Sequence, residues 1–465
     1  MSIPKRRKGT PAAEEDEEIF SDQEQIFDFD DADTSDGDDG SSGSDKEVTA
    51  AQKRLKMAQA YLHSLRSSAR PTTDDNNTAD GDDGEIDAEA MDREIIAGRL
   101  QQDTLMSRGR AFEALAAKYE QSAVADAAKV FKVNTPDGRV PTACCASADG
   151  HSVYLATKSR FIYHYALVPE SEGALAYRRV HTFKAPEKFD RTLSLALSSC
   201  GQSLAAGSHS GRIAVWSIKA KPAPSQKEAM PQFSYKFEGE MAQHRGPVYA
   251  LAFRRDALSL FSAAADRTIK QWSLESHPPA YVDTLFGHQD CIMGLAALGR
   301  ETCVSVGARD RTARFWKLVD ETQLVFRPIE AAGGSLDCVA MLDEESFVTG
   351  SDSGAVSLFC SRKKKPLEWI QLDSHMGAIE ALAVVPYSDL LAIGCSNGCV
   401  SIVSASPATR SIVPVAKLPI TGAATALSWD DQGKVLAVAV GKESRAGRWT
   451  VNKDAKNCLL IYRFF

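Results

Sequence analysis

From residue 129 onward one pattern returns seven times, and a long-period repeat restricts the possible folds more than any single motif does. Aligned on an aromatic or apolar position near its end, it reads TKSRFIYHY to Tyr165, SHSGRIAVW to Trp216, AADRTIKQW to Trp272 and ARDRTARFW to Trp316. It continues as SDSGAVSLF to Phe359, CSNGCVSIV to Val403 and KNCLLIYRF around Tyr462. The spacings are 51, 56, 44, 43, 44 and 59 residues, a period of about 40–45 with insertions in the second and third units and before the last strand. Each unit alternates short apolar runs with Gly, Asp, Ser and Pro, the chemistry of strand, turn and strand. A unit this short cannot bury its own faces. Seven units of four strands stacked around an axis bury them all and leave no long free sheet edge. The expected fold is therefore all-β, a seven-bladed propeller.

An outer fourth strand follows the aligned position in six units: YRRVHTF, FSYKFEG, YVDTLFG, TQLVFRP, LEWIQLD and SIVPVAKL. The seventh unit stops at Phe465 without one, while AKVFKV at 128–133 precedes the first inner strand and has nothing else to pair with. That segment is predicted to close the ring against CLLIYRF, with the preceding chain emerging beside the last blade.

Net charge is −8, but it is the average of two opposite objects. Residues 1–128 hold 30 acids and 15 bases, which leaves 32 acids and 39 bases for residues 129–465. An acidic arm on a basic body suggests a body that binds polyanions. Residues 1–49 read as a disordered arm, because positions 9–48 carry 16 acids, one lysine and little to bury, too little to offset the entropy of ordering. In front of the acids, Lys5, Arg6, Arg7 and Lys8 form a basic cluster readable as a nuclear localisation signal. Residues 50–127 read as a basic helical extension with an acidic linker. Leu55, Met57, Ala58, Tyr61, Leu62 and Leu65 recur at helical spacing in its first part. Over 88–122, Ile95, Ile96, Leu100, Leu105, Phe112, Leu115 and Ala116 do so again, beside Arg99, Arg108 and Arg110. These helices have too little apolar surface for a core of their own and are expected to dock on the body or on a partner. Residues 128–465 are the propeller.

The third and fourth units hold His244 with Asp266 and Trp272, and His288 with Asp310 and Trp316. A histidine beside an aspartate resembles catalytic machinery, yet each pair recurs where the repeat places it. The expectation is structural: a buried carboxylate that holds a turn and a histidine, with the indole N–H satisfied in the same blade. Units 1, 2, 5, 6 and 7 lack the aspartate or the tryptophan, with Ser159, Ser210 and Ser353 at the aspartate position of units 1, 2 and 5, and should be held mainly by apolar packing. No phosphate-binding loop, dinucleotide fingerprint, zinc-protease helix or nucleophile elbow occurs. Neither catalysis nor a cofactor, metal or small-molecule substrate is expected. The ten cysteines lack CxxC and zinc-ligand spacing, and most fall in apolar runs, where a thiol packs as a small hydrophobe. No apolar run reaches the roughly 18 residues of a membrane span, and MSIPKRRKGT has no signal-peptide apolar segment. A soluble intracellular protein without membrane contact is expected.

In a propeller the loops joining strands b and c, and those joining strand d to the next strand a, share one face. There the alignment places Lys188 and Arg191 entering blade 2, then Arg212, Arg245, Arg267, Arg309 and Arg311 through blade 4. The equivalent loops of blades 5 and 6 offer Asp337, Asp352, Ser353, His375 and Asn397, so positive charge gathers in one sector. Guanidinium forks suit phosphate oxygens, and a stripe of them suits an RNA backbone. Arg362, Lys363, Lys364 and Lys365 are expected in a tight loop on the opposite face.

The stretches QKRLKMAQAYLHSL, IAGRLQQDTLMSRGR, HRGPVYALAFRR, ADRTIKQW, YVDTLFGHQD and ARDRTARFW, in that order, resemble the family of WD-repeat subunits of the U3 small nucleolar ribonucleoprotein. The likeness runs from about residue 50 to the end and includes segments ahead of the propeller, which a generic WD40 likeness would not. The resemblance implies a seven-bladed WD40 propeller without enzymatic activity, in the nucleus and nucleolus. It implies binding to U3 snoRNA at the box B/C region, beside a kink-turn-binding protein of the particle. It further implies a part in early cleavages of the small-subunit ribosomal RNA precursor, with other small-subunit processome proteins as partners. Arg99, Arg108 and Arg110 are then expected on a helix that lays cationic surface along RNA or a neighbouring subunit, beside the basic sector. Two other WD40 roles compete. A ubiquitin-ligase substrate receptor often carries Trp-Asp-x-Arg after a blade, whereas Trp429-Asp430 continues as Asp431-Gln432. A chromatin adaptor that takes a histone tail into its channel would want an acidic face, whereas three blades here offer a basic one.

Overall fold

The computed structural model describes Thr104 and residues 110–119, 129–169, 175–220, 232–329, 333–372, 377–447 and 451–464. Within them the seven repeats form seven four-stranded antiparallel sheets. Blades 1 to 6 are continuous in sequence, at 141–184, 192–241, 248–286, 292–326, 336–371 and 379–419. Blade 7 takes strands a to c from Ala423–Trp429, Val435–Gly441 and Cys458–Arg463, and strand d from Lys129–Asn134. The register runs antiparallel from Lys129 opposite Arg463 to Asn134 opposite Cys458. The ring closes as the missing outer strand required.

Radial stacking dictates burial. Inner strands are covered on both sides, and all residues of Ser152–Thr157, Ser346–Ser351 and Leu390–Cys395 are buried. Such strands read as continuous apolar or small-residue runs rather than alternating ones. Outer strands face solvent, and Ala280–Phe286 buries none of its residues fully. Near the axis the blades converge until side chains are excluded: a Cβ on Gly350 would stand 2.7 Å from Cys338 Sγ and 2.8 Å from Ile379 Cγ2. The apolar clusters each lie at a boundary between two blades, so no blade has a core of its own. Most cysteines join these clusters, but Cys200 is exposed, at the a–b turn of blade 2.

Residues 110–119 correct the one or two helices expected over 88–122. This stretch crosses the face of the a–b turns, and only Ala116–Tyr119 coils, as a 3-10 turn. The cause is Asp389 in the a–b turn of blade 6. Its Oδ1 accepts the amides of Leu115 and Ala116 at 2.6 and 3.0 Å, while Glu113 exchanges backbone hydrogen bonds with Tyr387 and Asp389. Tyr119, 3% exposed, then drops into the blade 6–7 core. Its ring meets Trp429 and Phe464 edge-on at 5.9 and 5.2 Å, and its hydroxyl donates to the Gly433 carbonyl. Satisfied backbone plus aromatic burial outweighs helical periodicity here. Apart from Thr104, the remaining extension, the 1–49 arm and the cluster Lys5, Arg6, Arg7 and Lys8 lie outside the described residues.

The basic run in blade 5 also differs from a simple loop. Cys360 pairs with Lys363, so only Ser361 and Arg362 turn, and Lys363, Lys364 and Lys365 open strand d. The turn does lie on the expected face, with Arg362 bound to Glu345 at 2.7 Å.

Replacing Tyr119 by Ala removes a ring from this three-way aromatic contact. The expected loss is about 3–5 kcal/mol, measured by urea unfolding. An unchanged midpoint would contradict the anchoring role of residues 110–119.

Candidate nucleic-acid interface

In blade 3 the Trp272 indole N–H donates to Ser262 Oγ at 2.8 Å. Ser262 Oγ lies 2.8 Å from His244 Nε2, and His244 Nδ1 lies 2.8 Å from Asp266 Oδ2. Blade 4 repeats the chain through Trp316, Ser305, His288 and Asp310 at 2.8, 2.7 and 2.7 Å. An indole can only donate, so the serine hydroxyl donates onward to Nε2 and the imidazole donates Nδ1–H to the carboxylate. Both aspartates also accept one amide from the loop entering the blade and one from their own turn, from Arg245 and Thr268 on Asp266 and from Gln289 and Thr312 on Asp310. Burial pushes these carboxyls up, but the histidine and amide bonds outweigh it. Asp310 is lowered to about 2, and Asp266 is lowered as well. The histidines are buried, so the relays are structural, as the repeat implied. Ser262 and Ser305 were not singled out in the sequence. Their signal was a serine at the fourth position of strand b (SLFSAA, TCVSVG), which the other b strands lack. In blades 1, 2 and 5 apolar packing is supplemented by hydroxyl pairs, Thr157 with Ser159, Ser208 with Ser210 and Ser351 with Ser353.

The relays fix the b–c turns, and the turns carry the arginines. Arg267 and Arg311 directly follow Asp266 and Asp310, with φ of 67° and 52°. At the same position blades 2, 5 and 6 have Gly211, Gly354 and Gly398, at 78°, 84° and 90°. A left-handed conformation costs an ordinary L-residue about 1–2 kcal/mol that glycine avoids. Blades 3 and 4 thus keep a long cationic side chain where the backbone favours glycine. Arg160 of blade 1 occupies this repeat position too, and Arg139 lies in the loop entering blade 1. Both were legible in the alignment and were missed.

The structure brings Lys188, Arg191, Arg212, Arg245, Arg267, Arg309 and Arg311 onto one face, that of the b–c loops. All but Arg212 are exposed. Arg212 is half-buried and bound to Glu240 at 2.9 Å, and Arg191 has a long contact of 3.8 Å with Asp190. Among the described residues no ion pair holds Lys188, Arg245, Arg267, Arg309 or Arg311. Nearby acids are already engaged: Asp266 and Asp310 in the relays, Asp290 by the Arg309 amide at 3.1 Å. The sector therefore presents guanidinium groups to solvent, with Asp190 near Arg191 and Asp290 near Arg309 as counter-charges.

Arg110 does not belong to this sector. It lies on the opposite face, in extended chain rather than helix, 3.3 Å from Asp256 in the a–b turn of blade 3. The anchoring of 113–119 by Asp389 directs it there. Arg99 and Arg108 lie outside the described residues. At the axis Arg445, from the b–c loop of blade 7, donates to the Met293 carbonyl at 3.4 Å beside Asp337 and Glu380. Burial pushes Asp337 up to about 6 and Glu380 up as well. The acids that a lysine-bearing tail would need thus already face an arginine of the chain itself.

The chain matches the WD40 model, described as WD domain, G-beta repeat, at residues 177–217, 235–273 and 280–317. It is 31% identical to a human protein named U3 small nucleolar RNA-interacting protein 2, over 89% of this chain and 82% of that one. It is 25% identical to Ribosomal RNA-processing protein 9 of Saccharomyces cerevisiae, over 86% and 87% of the two chains. A solved structure described as U3-55K is similar with a TM-score of 0.63 at 30% identity, covering 74% of this chain and 100% of that one.

The relays generate a pH signature. Asp310→Asn should lower the unfolding free energy by about 2 kcal/mol near neutral pH. A carboxyl depressed on folding contributes stability that is full above its unfolded pKa, near 4, and is lost as pH falls through about 2. The difference between native protein and variant should therefore stay constant from about pH 8 to 5 and close toward pH 2 in urea titrations. A difference that persists at pH 2 would assign the effect to packing instead.

Proposed function

Because this chain belongs to the family of U3 small nucleolar RNA-interacting WD-repeat proteins, we propose that it is a non-catalytic subunit of the U3 ribonucleoprotein whose b–c face binds U3 snoRNA. Through that binding it serves in processing of the small-subunit ribosomal RNA precursor. One observation carries the assignment to this face: Arg267 and Arg311 are exposed, have no ion pair among the described residues, and hold left-handed turn positions that glycine fills in blades 2, 5 and 6. Folding alone favours glycine there, whereas gripping phosphate favours arginine. Uncommitted cations in neighbouring loops suit a continuous phosphate backbone, which RNA-binding proteins contact independently of sequence.

The RNA segment engaged is the box B/C region, with a kink-turn-binding protein of the particle and other small-subunit processome proteins as neighbours. The place of action is the nucleus and nucleolus, which the basic cluster Lys5, Arg6, Arg7 and Lys8 suits. Lys188, Arg191, Arg245, Arg267, Arg309 and Arg311 are assigned to phosphate contact. Arg212, tied to Glu240, acts mainly within its blade.

Fluorescence anisotropy on labelled U3 snoRNA tests the reading. Affinity should fall steeply with salt, and Arg267, Arg309 and Arg311 changed together to Glu should flatten the log–log salt slope by about one per lost phosphate contact. An unchanged slope would overturn the assignment. Arg311→Gly should separate folding from function: stability rises by up to about 1 kcal/mol as strain is relieved, while RNA affinity falls. If stability and affinity fall together, the arginine is there for the fold.

A further inference from the structure

The b–c face also carries a concavity beside the arginine stripe. A groove of about 600 Å3 lies among the loops 137–139, 158–161 and 187–191 of blades 1 and 2, a volume typical of small-ligand sites. Its cations are Arg139, Arg160, Lys188 and Arg191, together with Lys158, which Glu443 neutralises at 2.9 Å. Hydrogen bonds hold the walls: Arg139 Nη1 donates to the Lys158 carbonyl at 3.1 Å, Arg160 Nη1 to the Glu187 carbonyl at 3.4 Å, and the Thr192 amide to the Ser159 carbonyl at 3.0 Å. Of the lining acids, Asp137 accepts the Thr157 hydroxyl at 2.8 Å, Asp190 contacts His209 at 3.6 Å, and Glu187 is exposed.

Phe161 makes the groove chemically distinct. It follows Arg160, so it occupies the repeat position held by Arg212, Thr268, Thr312, Ala355 and Cys399 in blades 2 to 6. None of those is aromatic. Phe161 is 37% exposed and lines the groove next to cations, where no core requires a ring. A cationic surface alone serves for duplex phosphates. A partly exposed aromatic ring within it suits a base that is not already stacked on its neighbours, the recurring mode of single-stranded RNA recognition.

We propose that this groove holds one unpaired nucleotide of the bound RNA, its base stacked on Phe161 and its flanking phosphates on Arg160, Arg139 and Lys188. The inference rests on the RNA-binding reading above and adds the kind of nucleotide recognised. Its consequence is a preference for RNA with a bulge or loop over a continuous duplex.

The test uses the full chain and two labelled RNA hairpins of equal stem length, one with a short bulge and one fully paired. The native protein should bind the bulged hairpin more tightly. Phe161→Ala should weaken that complex about 5- to 150-fold and leave the paired one unchanged, and Phe161→Trp should restore the preference. If Phe161→Ala leaves the bulged complex intact while the triple glutamate change in blades 3 and 4 weakens both, the nucleotide groove is overturned and the RNA reading stands. Equal weakening of both hairpins by Phe161→Ala would also overturn it, assigning the ring to packing. If the native protein binds neither hairpin, both readings fall.

Discussion

The whole propeller depends on one antiparallel pairing, between Lys129–Asn134 and Cys458–Arg463. Each apolar cluster is shared between two blades, so an open ring would split the blade 7–1 cluster and expose both of its halves rather than fray a single edge. Pairing segments from opposite ends of the domain costs loop entropy that grows only slowly with length, a burden on folding rate more than on stability. Tyr119 adds a second fastening across the same closure. It enters the blade 6–7 core just ahead of the closing strand and contacts Phe464 just behind the last one. The two ends of the domain are thereby packed together twice, once by backbone and once by aromatic rings.

Closure makes the b–c face a rigid platform, and the relays of blades 3 and 4 decide what stands on it. Asp266 and Asp310 each accept one turn amide, one amide of the loop entering the blade and a histidine. That is enough to hold the following arginine in a left-handed conformation it would not choose. Strain of this kind persists only where surrounding bonds over-determine it. The same two carboxylates are turned inward, so they do not neutralise the arginines beside them. One arrangement supplies the local stability, the position of the guanidinium and the absence of a counter-charge.

Much of this was legible in the sequence because the repeat carries geometry with it. The strand order, the closing strand, the His–Asp–Trp relays and the face on which Lys188 to Arg311 lie all follow from the alignment and from alternation of loops between faces. The serines of the relays and Arg160 were within its reach and were missed. Phe161 was not legible: an aromatic at the start of a strand normally signals core, and only the packing of three loops leaves it open. The segment 110–119 was misread for a different reason. Helical periodicity describes what a chain does alone, whereas Asp389 and the blade 6–7 core offered Leu115, Ala116 and Tyr119 better partners in a non-helical stretch that ends in one 3-10 turn. Arg110, placed by periodicity beside the basic sector, was carried with that segment to the other face.

The most direct test of the central claim is ultraviolet crosslinking in cells, with the attached RNA sequenced and the crosslinked peptides mapped by mass spectrometry. The account predicts reads concentrated on U3 snoRNA and crosslinks in the b–c-face loops around Phe161, Lys188, Arg267 and Arg311. Reads without U3 enrichment, or crosslinks confined to the opposite face around Arg110 and Asp256, would contradict it.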